Sequence, residues 1–465
     1  MNEQCVIILA AGKGTRMKSS LPKVMCEILF EPMIKLVLNA CKKFQIQNKY
    51  IVINKTSLEL MKNYIGKNAK LTIQNEQKGT AHAVLCAKEF LQKNLQKDVF
   101  ICYGDSPFID ENTIQNAFKL HKKENACATL ITSELENSFG YGRIVKNSNN
   151  NLIKIVEEKD ANLTEKKIKE VNSGAYWFKI ESLLKVITKI NNNNCNKEFY
   201  LTDAIELLIN DKQKVKIFKT KNSDFCLNAN NKEQLFQLNE ILRNKVINKL
   251  MSNGVEFLNL NGILISPSVK IKPGTKILPG TILKQNTTIG ENCIIGPNTI
   301  IENSSIGNNC SINSSQIYKS KIENFVKIGP FCHIRPNSKI LSYTKIGNFV
   351  EIKNSTLGEG TSVAHLTYVG DSDVGKNVNF GCGVVTTNFD GINKNRCEIQ
   401  DGAFLGCNTN LIAPIKIGKN AYTGAGSTIT KNVPENALAI ERAQQINLKD
   451  YSKTKLADRK LKFKN

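Results

Sequence analysis

An aliphatic residue returns at every sixth position of this chain from Ile265 to near Pro434, with occasional steps of five. IKPGTK, IGENCI, IGPNTI, IGPFCH and IGNFVE begin at Ile271, Ile289, Ile295, Ile328 and Ile346. LGEGTS, VGKNVN, LGCNTN and IGKNAY begin at Leu357, Val374, Leu405 and Ile417. Six residues are too few for a helical repeat, and a lone strand of this composition cannot bury its apolar positions. Stacked coils can: the aliphatic side chain points inward, small residues fill the corner, and Gly or Asn makes the turn. The period therefore predicts a parallel β-helix. Its 27 hexads give nine triangular coils, interrupted by one 13-residue unit at 386–398.

The whole chain, 465 residues, is longer than one hydrophobic core usually serves, so more than one domain is expected. Net charge is +23, but only seven of the 64 basic residues are Arg and the 57 Lys are spread along the chain. Nucleic-acid surfaces cluster Arg and interleave aromatics, so no nucleic-acid partner is expected. A positive field does suit phosphorylated substrates. The 14 Cys form no CxxC and no Cys/His cluster of zinc spacing, which points to free thiols in a reducing compartment. With no signal-like start and no apolar run of membrane length, the chain reads as cytoplasmic with no membrane span.

Residues 1–230 alternate strand-like runs (5–10, 50–54, 99–103, 128–132 and 215–220) with helix-like stretches (32–43, 80–91 and 113–123). This alternation predicts a Rossmann-like α/β domain with a mainly parallel sheet, whose ligands belong at the carboxyl ends of the strands. Leu235, Leu238, Ile241, Leu242, Val246 and Leu250 recur at helical spacing, so 231–254 reads as a connecting helix with Gly254 at its C-cap. The β-helix domain is placed at 255–442 and a basic, loosely packed tail at 443–465.

VIILAAGKGTRM, Val6 to Met17, is a strand feeding a glycine loop. Gly12 and Gly14 let the backbone approach a phosphate, with Lys13, Thr15 and Arg16 as donors. It is neither a Walker A loop nor GxGxxG. Lys23 follows closely. Asp105 sits in YGDSP at the end of a strand, where it is either a turn cap or, beside a triphosphate, a Mg²⁺ ligand. Gln77, Gly79 and Thr80 lie in QKGTAHA at a helix start.

LAAGxGTRM, PK, QxxQxGT and YGDxP together resemble the sugar-phosphate nucleotidylyltransferases. With the hexad stack behind them, the chain is similar throughout to the bacterial bifunctional N-acetylglucosamine-1-phosphate uridylyltransferase/glucosamine-1-phosphate acetyltransferase family, whose coil stacks are left-handed. The resemblance implies two reactions. The first is acetyl transfer from acetyl-CoA to glucosamine 1-phosphate. The second is uridylyl transfer from UTP to N-acetylglucosamine 1-phosphate, with Mg²⁺ and release of pyrophosphate. It implies that Leu9, Ala10, Ala11, Gly12 and Gly14 cradle the nucleotide and that Arg16 and Lys23 hold the triphosphate. Gln74, Gln77, Gly79 and Thr80 would read uracil. Tyr103, Gly104 and Asp105 would line the centre, with Asp105 and Asn230 on the metal. Gly140, Glu157 and Asn172 would contact the sugar. The family's glycine before Asn230 is Asn228 here.

Two of the four His, His333 and His365, lie in the stack, too few for a three-His zinc site. Neutral imidazole at His365 suits a general base for an amine. The 386–398 unit, carrying TTNFDGINK, leaves the stack soon after it. The resemblance implies that Arg335 and Lys353 hold the sugar phosphate and that Tyr368, Asn379 and Asn388 place the amino sugar. Cys382, Phe389, Cys407, Ala425 and Arg442 fall at acetyl-CoA positions. Cys382, Cys407 and Phe389 stand where the family has Ala, Ser and Tyr. Glu351 is expected to orient His365. A homotrimer is implied in the same way. The competing reading is a single-function nucleotidylyltransferase with a regulatory β-helix, which leaves His365 and its loop unexplained.

Overall fold

A computed structural model describes residues 4–46 and 48–462, so the first three residues of the expected α/β domain and the last three of the expected tail lie outside it. The chain divides into two compact units, 1–245 and 246–465. The division falls inside one helix, Lys232–Ser252, which closes at Gly254 (φ 85°) with Val255 N donating to Leu250 O at 3.0 Å. Among the described residues no helix is long and apolar enough to cross a membrane.

The first unit is built on a nine-stranded sheet. Its strands are β1 (Gln4–Ala10), β2 (Asn48–Asn54), β3 (Lys70–Gln74), β4 (Asp98–Tyr103), β5 (Ala128–Glu134), β6 (Arg143–Lys146), β7 (Leu152–Val156), β8 (Glu170–Lys179) and β9 (Val215–Lys219). The main order is β9-β5-β8-β4-β1-β2-β3, and the hairpin β6–β7 joins through β8. β1 is apolar from Cys5 to Ala10 and β4 from Val99 to Cys102, as in strands of a sheet buried on both faces. β1 pairs in parallel with both β2 and β4. Successive strands thus spread to opposite sides of β1, and the crevice at its carboxyl end is the place where a ligand is expected.

β8 runs antiparallel between β4 and β5, with a register shift between Asn172 and Ala175. The sequence reading missed this strand because NSG looks like a turn. The expected helix 80–91 is two helices, Thr80–Leu85 and Lys88–Gln92. The Cys86 carbonyl at the break accepts from Thr72 Oγ1 at 3.1 Å.

The second unit is a parallel β-helix of three sheets with 11, 10 and 9 short strands. The sheets start at Glu256–Phe257, Leu264–Ile265 and Lys270–Ile271. The first sheet exceeds the nine coils expected because its first and last strands, Glu256–Phe257 and Leu438–Ala439, lie outside the hexad register. Most of the two-residue strands show one outward and one buried residue, and like residues stack: Ile277 on Ile295, then Ile312, then Ile328. Burying one such side chain is worth about 1.5–3 kcal/mol. Corner hydroxyls bond the neighbouring coil, as Thr275 Oγ1 does to Gly290 O at 2.8 Å.

Asn fills many left-handed corners, including Asn286, Asn303 and Asn309, because its short polar side chain tolerates that backbone. Five corners carry bulky apolar residues instead: Phe325, Phe331, Tyr343, Phe349 and Leu366. Four of these stack in pairs, Phe325 on Tyr343 at 5.0 Å and Phe331 on Phe349 at 5.4 Å, which offsets part of the backbone cost. The tail contains a helix, Tyr451–Lys462, rather than an arm without regular structure. Its Lys, Leu, Ala and Arg residues are strong helix formers.

Candidate active sites

The first site is the crevice of the α/β unit. β1 ends at Ala10, and Gly104 N donates to Leu9 O at 2.9 Å, holding the loop after β4 against the end of β1. The two loop glycines have different reasons to be glycine. Gly14 takes φ 60°, and a Cβ there would meet Lys23 Cβ at 2.9 Å. Gly12 has no such constraint: a Cβ there meets nothing within 4 Å, so the open space before it is available to a ligand. Lys13, Thr15 and Arg16 are exposed on the short turn that buried Met17 anchors.

The Lys23 ammonium sits between two oxygens, the Asp105 carboxylate and Asn230 Oδ1, the latter at 2.7 Å. Asn230 is itself held by its amide to Asn228 Oδ1 at 3.1 Å and by its N–H to Gln234 Oε1 at 2.7 Å. Asn228 does not take a left-handed backbone, so the residue that replaces the family's glycine fits without strain.

Gln74 ends β3, and Gln77, Gly79 and Thr80 lead from it into the helix Thr80–Leu85. Gln74 is buried, and its Nε2 lies 3.1 Å from Gly79 O and 3.0 Å from His82 Nδ1. Phe199–Leu201 buttress this segment, a support that the sequence reading did not find. Ala81 N donates to Phe199 O, and Leu201 N donates to Thr80 Oγ1, both at 2.9 Å. Gly79 (φ 112°) lies so close that a Cβ would reach Phe199 O at 2.4 Å.

Further along the crevice the Tyr103 ring covers Gly174, where any Cβ would collide with it. Burial pushes the Tyr103 phenol up. Asn172 is fixed at both ends, Nδ2 donating to Tyr176 OH at 2.6 Å and Oδ1 accepting from Gly174 N at 3.2 Å. Burial raises the Glu157 carboxyl to about 7, aided by Asp203, Asp160 and Glu198 and opposed by the Thr202 hydroxyl. Gly140 N donates to Glu158 Oε2 at 3.0 Å, and Arg143 Nη2 reaches the same oxygen at 2.7 Å. Glu158 therefore holds the Gly140 loop, a role not legible in the sequence.

The second site lies on the coil stack. Asn348 and His365 occupy equivalent places in successive coils, each two residues after an inward residue. Cys382, Cys407 and Ala425 take the same place after Phe380, Leu405 and Thr423. His365 Nδ1 lies 3.1 Å from Asn348 Oδ1. An amide oxygen can only accept, so Nδ1 carries the proton and Nε2 is left basic.

Glu351 does not orient His365, as the sequence reading expected. Its Oε1 accepts from Arg335 Nη1 at 2.8 Å, because the two residues share the outer side of the second sheet. Lys353 bonds Asp371 at 3.0 Å, Asn354 Nδ2 bonds its other oxygen at 2.6 Å, and the Asn388 amide also reaches Asp371. Burial alone would raise the Asp371 carboxyl, but these three donors hold it below the usual carboxylate range. Asp371 was not singled out in the sequence.

Tyr368 follows Glu351 on the second sheet, whereas Asn379 lies on the first, beside Ser362. His365 stands at the end of its strand in the first sheet, just before Tyr368 opens the next strand on the second. The 386–398 loop is tied back by Arg396, whose Nε and Nη2 reach Asp373 at 2.9 and 2.6 Å. Lys394 Nζ lies 3.9 Å from the Phe389 ring centre. Arg442 Nη1 donates to Ala425 O at 2.8 Å at the far end of the column.

Residues 5–225 match the nucleotidyl transferase family model, and 268–303 and 319–354 match the bacterial transferase hexapeptide (six repeats) model. The bifunctional protein GlmU of Clostridium kluyveri is 45% identical over 447 residues, 96% of this chain and 98% of its own. The protein of that name from Caldicellulosiruptor saccharolyticus is 45% identical over 442 residues, 95% of each chain. That from Geobacillus sp. strain WCH70 is 44% identical over 451 residues, 97% of this chain and 98% of its own. The matches span both units, which removes the single-function alternative. With a nucleotidyltransferase unit followed by a left-handed hexapeptide stack, the chain belongs to the GlmU family of bifunctional nucleotidyl- and acetyltransferases.

Proposed function

We propose that the two sites act in sequence on one amino sugar phosphate. The coil stack acetylates glucosamine 1-phosphate from acetyl-CoA. The crevice then couples N-acetylglucosamine 1-phosphate to UTP and releases pyrophosphate. The observation that carries the first step is His365, whose proton-bearing Nδ1 faces Asn348 and whose Nε2 is left as base. Nε2 takes a proton from the amine, the nitrogen bonds to the thioester carbon, and the carbon–sulfur bond breaks to give the coenzyme thiol. Arg335 and Lys353 hold the sugar phosphate, and Asn388, locked by Asp371, places the amine. Cys382, Cys407, Ala425, Phe389 and Arg442 line the coenzyme's path.

In the crevice the attacking phosphate is already ionised, so positioning and positive charge do the work. The backbone beside Gly12 admits the triphosphate, Arg16 and Lys23 neutralise it, and the Gln74–Thr80 segment reads the base. Asp105 and Asn230 converge on a cation, the Lys23 ammonium. Two hard oxygens suit Mg²⁺, which would neutralise charge on the transferring phosphate. Glu157, Asn172 and Gly140 contact the sugar. The enzyme is further proposed to be a cytoplasmic homotrimer. The test assays pyrophosphate release from UTP with N-acetylglucosamine 1-phosphate, and thiol release from acetyl-CoA with glucosamine 1-phosphate. Absence of either overturns the corresponding half.

A further inference from the structure

All 14 cysteines are free, and three are exposed: Cys195, Cys382 and Cys407. The last two stack. Phe380 and Leu405 are in register on adjacent coils, and each cysteine follows its inward residue by two. The pairing runs on through both, with Gly381 N donating to Leu405 O at 2.8 Å and Asn408 N to Cys382 O at 2.7 Å. A Cβ on Gly381 would lie 2.5 Å from Cys407 N, so only glycine lets the two turns close to this distance. Equivalent side chains of in-register parallel coils point the same way, about 4.8 Å apart. Disulfides span Cα separations of about 4.4–6.8 Å. Cys293 and Cys310 also stack, but inward. Both are buried, and their thiols donate to Gly307 O at 3.1 Å and Glu323 O at 3.0 Å on the next coil. Only the outer pair is open to a reagent.

We propose that Cys382 and Cys407 form a dithiol site that takes small-molecule disulfides. One thiolate attacks a sulfur of the reagent and its first thiolate leaves, giving a mixed disulfide on the protein. The second cysteine thiolate attacks the protein sulfur and expels the other half. Two protein thiols are oxidised by two electrons, one reagent disulfide is reduced, and the two protons end on two small thiols. The pair shares its column with His365, so closing it reshapes the coenzyme's path. That consequence rests on the acetyl-transfer reading.

The full-length protein is incubated with glutathione disulfide, alkylated and mapped by peptide mass spectrometry. The expected result is a cross-linked peptide joining Cys382 to Cys407. Formation of acetylated sugar phosphate is lost and returns on reduction, while pyrophosphate release is unchanged. Cys407→Ser stops at a glutathione adduct on Cys382. The proposal is overturned if the parent shows only free thiols or glutathione adducts at these positions. It is equally overturned if the Cys382→Ala/Cys407→Ser variant loses acetyl transfer to the same extent on oxidation. If the reduced parent makes no acetylated product, the acetyl-transfer reading fails, while the peptide map still decides the dithiol.

Discussion

Asp371 shows how a single carboxylate organises the side chains around it. It is buried and accepts from Lys353, Asn354 and Asn388 at once. Asp371→Ala leaves the partly buried Lys353 ammonium without its partner, at a cost of about 3 kcal/mol. It also frees Asn388, so chemical denaturation and acetyl transfer should both register the loss. Glu157 gives a pH-dependent prediction. Its carboxyl rises from 4.5 to about 7 in the folded state, so between those values the folded chain holds a proton that the unfolded chain has lost. Stability therefore falls as pH rises through that window. Asp203, raised to about 6 by burial, Glu206 and Asp160, adds a similar fall at lower pH. The Tm advantage of Glu157→Gln over the parent should grow from pH 5 to pH 8, and a constant difference across that range contradicts this assignment. Side chains such as Gly12, Lys23, Asp105 and His365 were legible because their types and spacing carry chemistry. Asp371, Asn348 and Glu158 were not, because an acid or amide acquires its role only from the donors that folding places around it.

At the scale of elements, the coil stack and the mixed sheet differ in how openly they are encoded. The hexad is local: each inward aliphatic residue is six places from the next, and the corners repeat with it. Replacing one fully buried member near the middle, Ile317→Ala, should cost about 2–5 kcal/mol in denaturant unfolding, because the close-packed coils above and below cannot collapse onto the cavity. The 386–398 loop is weaker and more specific. Arg396→Ala removes the double contact to Asp373 and should loosen Asn388 and Phe389. It should lower acetyl transfer while leaving the unfolding midpoint within about 1 kcal/mol, since the pair is exposed. In the α/β unit β1 and β4 were evident as apolar runs. β8 was not, since Asn172, Ser173 and Gly174 have turn propensity but are held in the sheet by hydrogen bonds, with Ser173 Oγ donating to Ile131 O at 2.7 Å.

For the whole molecule, two compact units on one chain predict two activities that can be abolished separately. Asp105→Ala should stop pyrophosphate release and spare thiol release; His365→Ala should do the reverse, with a loss of about 10²–10⁴ in acetyl transfer. Loss of both activities in either folded variant contradicts the two-site reading. The net charge of +23 belongs to this scale as well, since it acts on acidic substrates as a field rather than through one contact. The sequence by itself determined the coil stack and the strand–glycine loop that opens the crevice, because these depend on local period and short spacing. Only the tertiary structure decided that Lys23 bridges Asp105 and Asn230, that Asn348 rather than Glu351 faces His365, and that Cys382 and Cys407 take equivalent places on adjacent coils. Those pairings join residues between 17 and 207 positions apart or on successive coils, and no local pattern specifies which of several polar groups a fold will bring together.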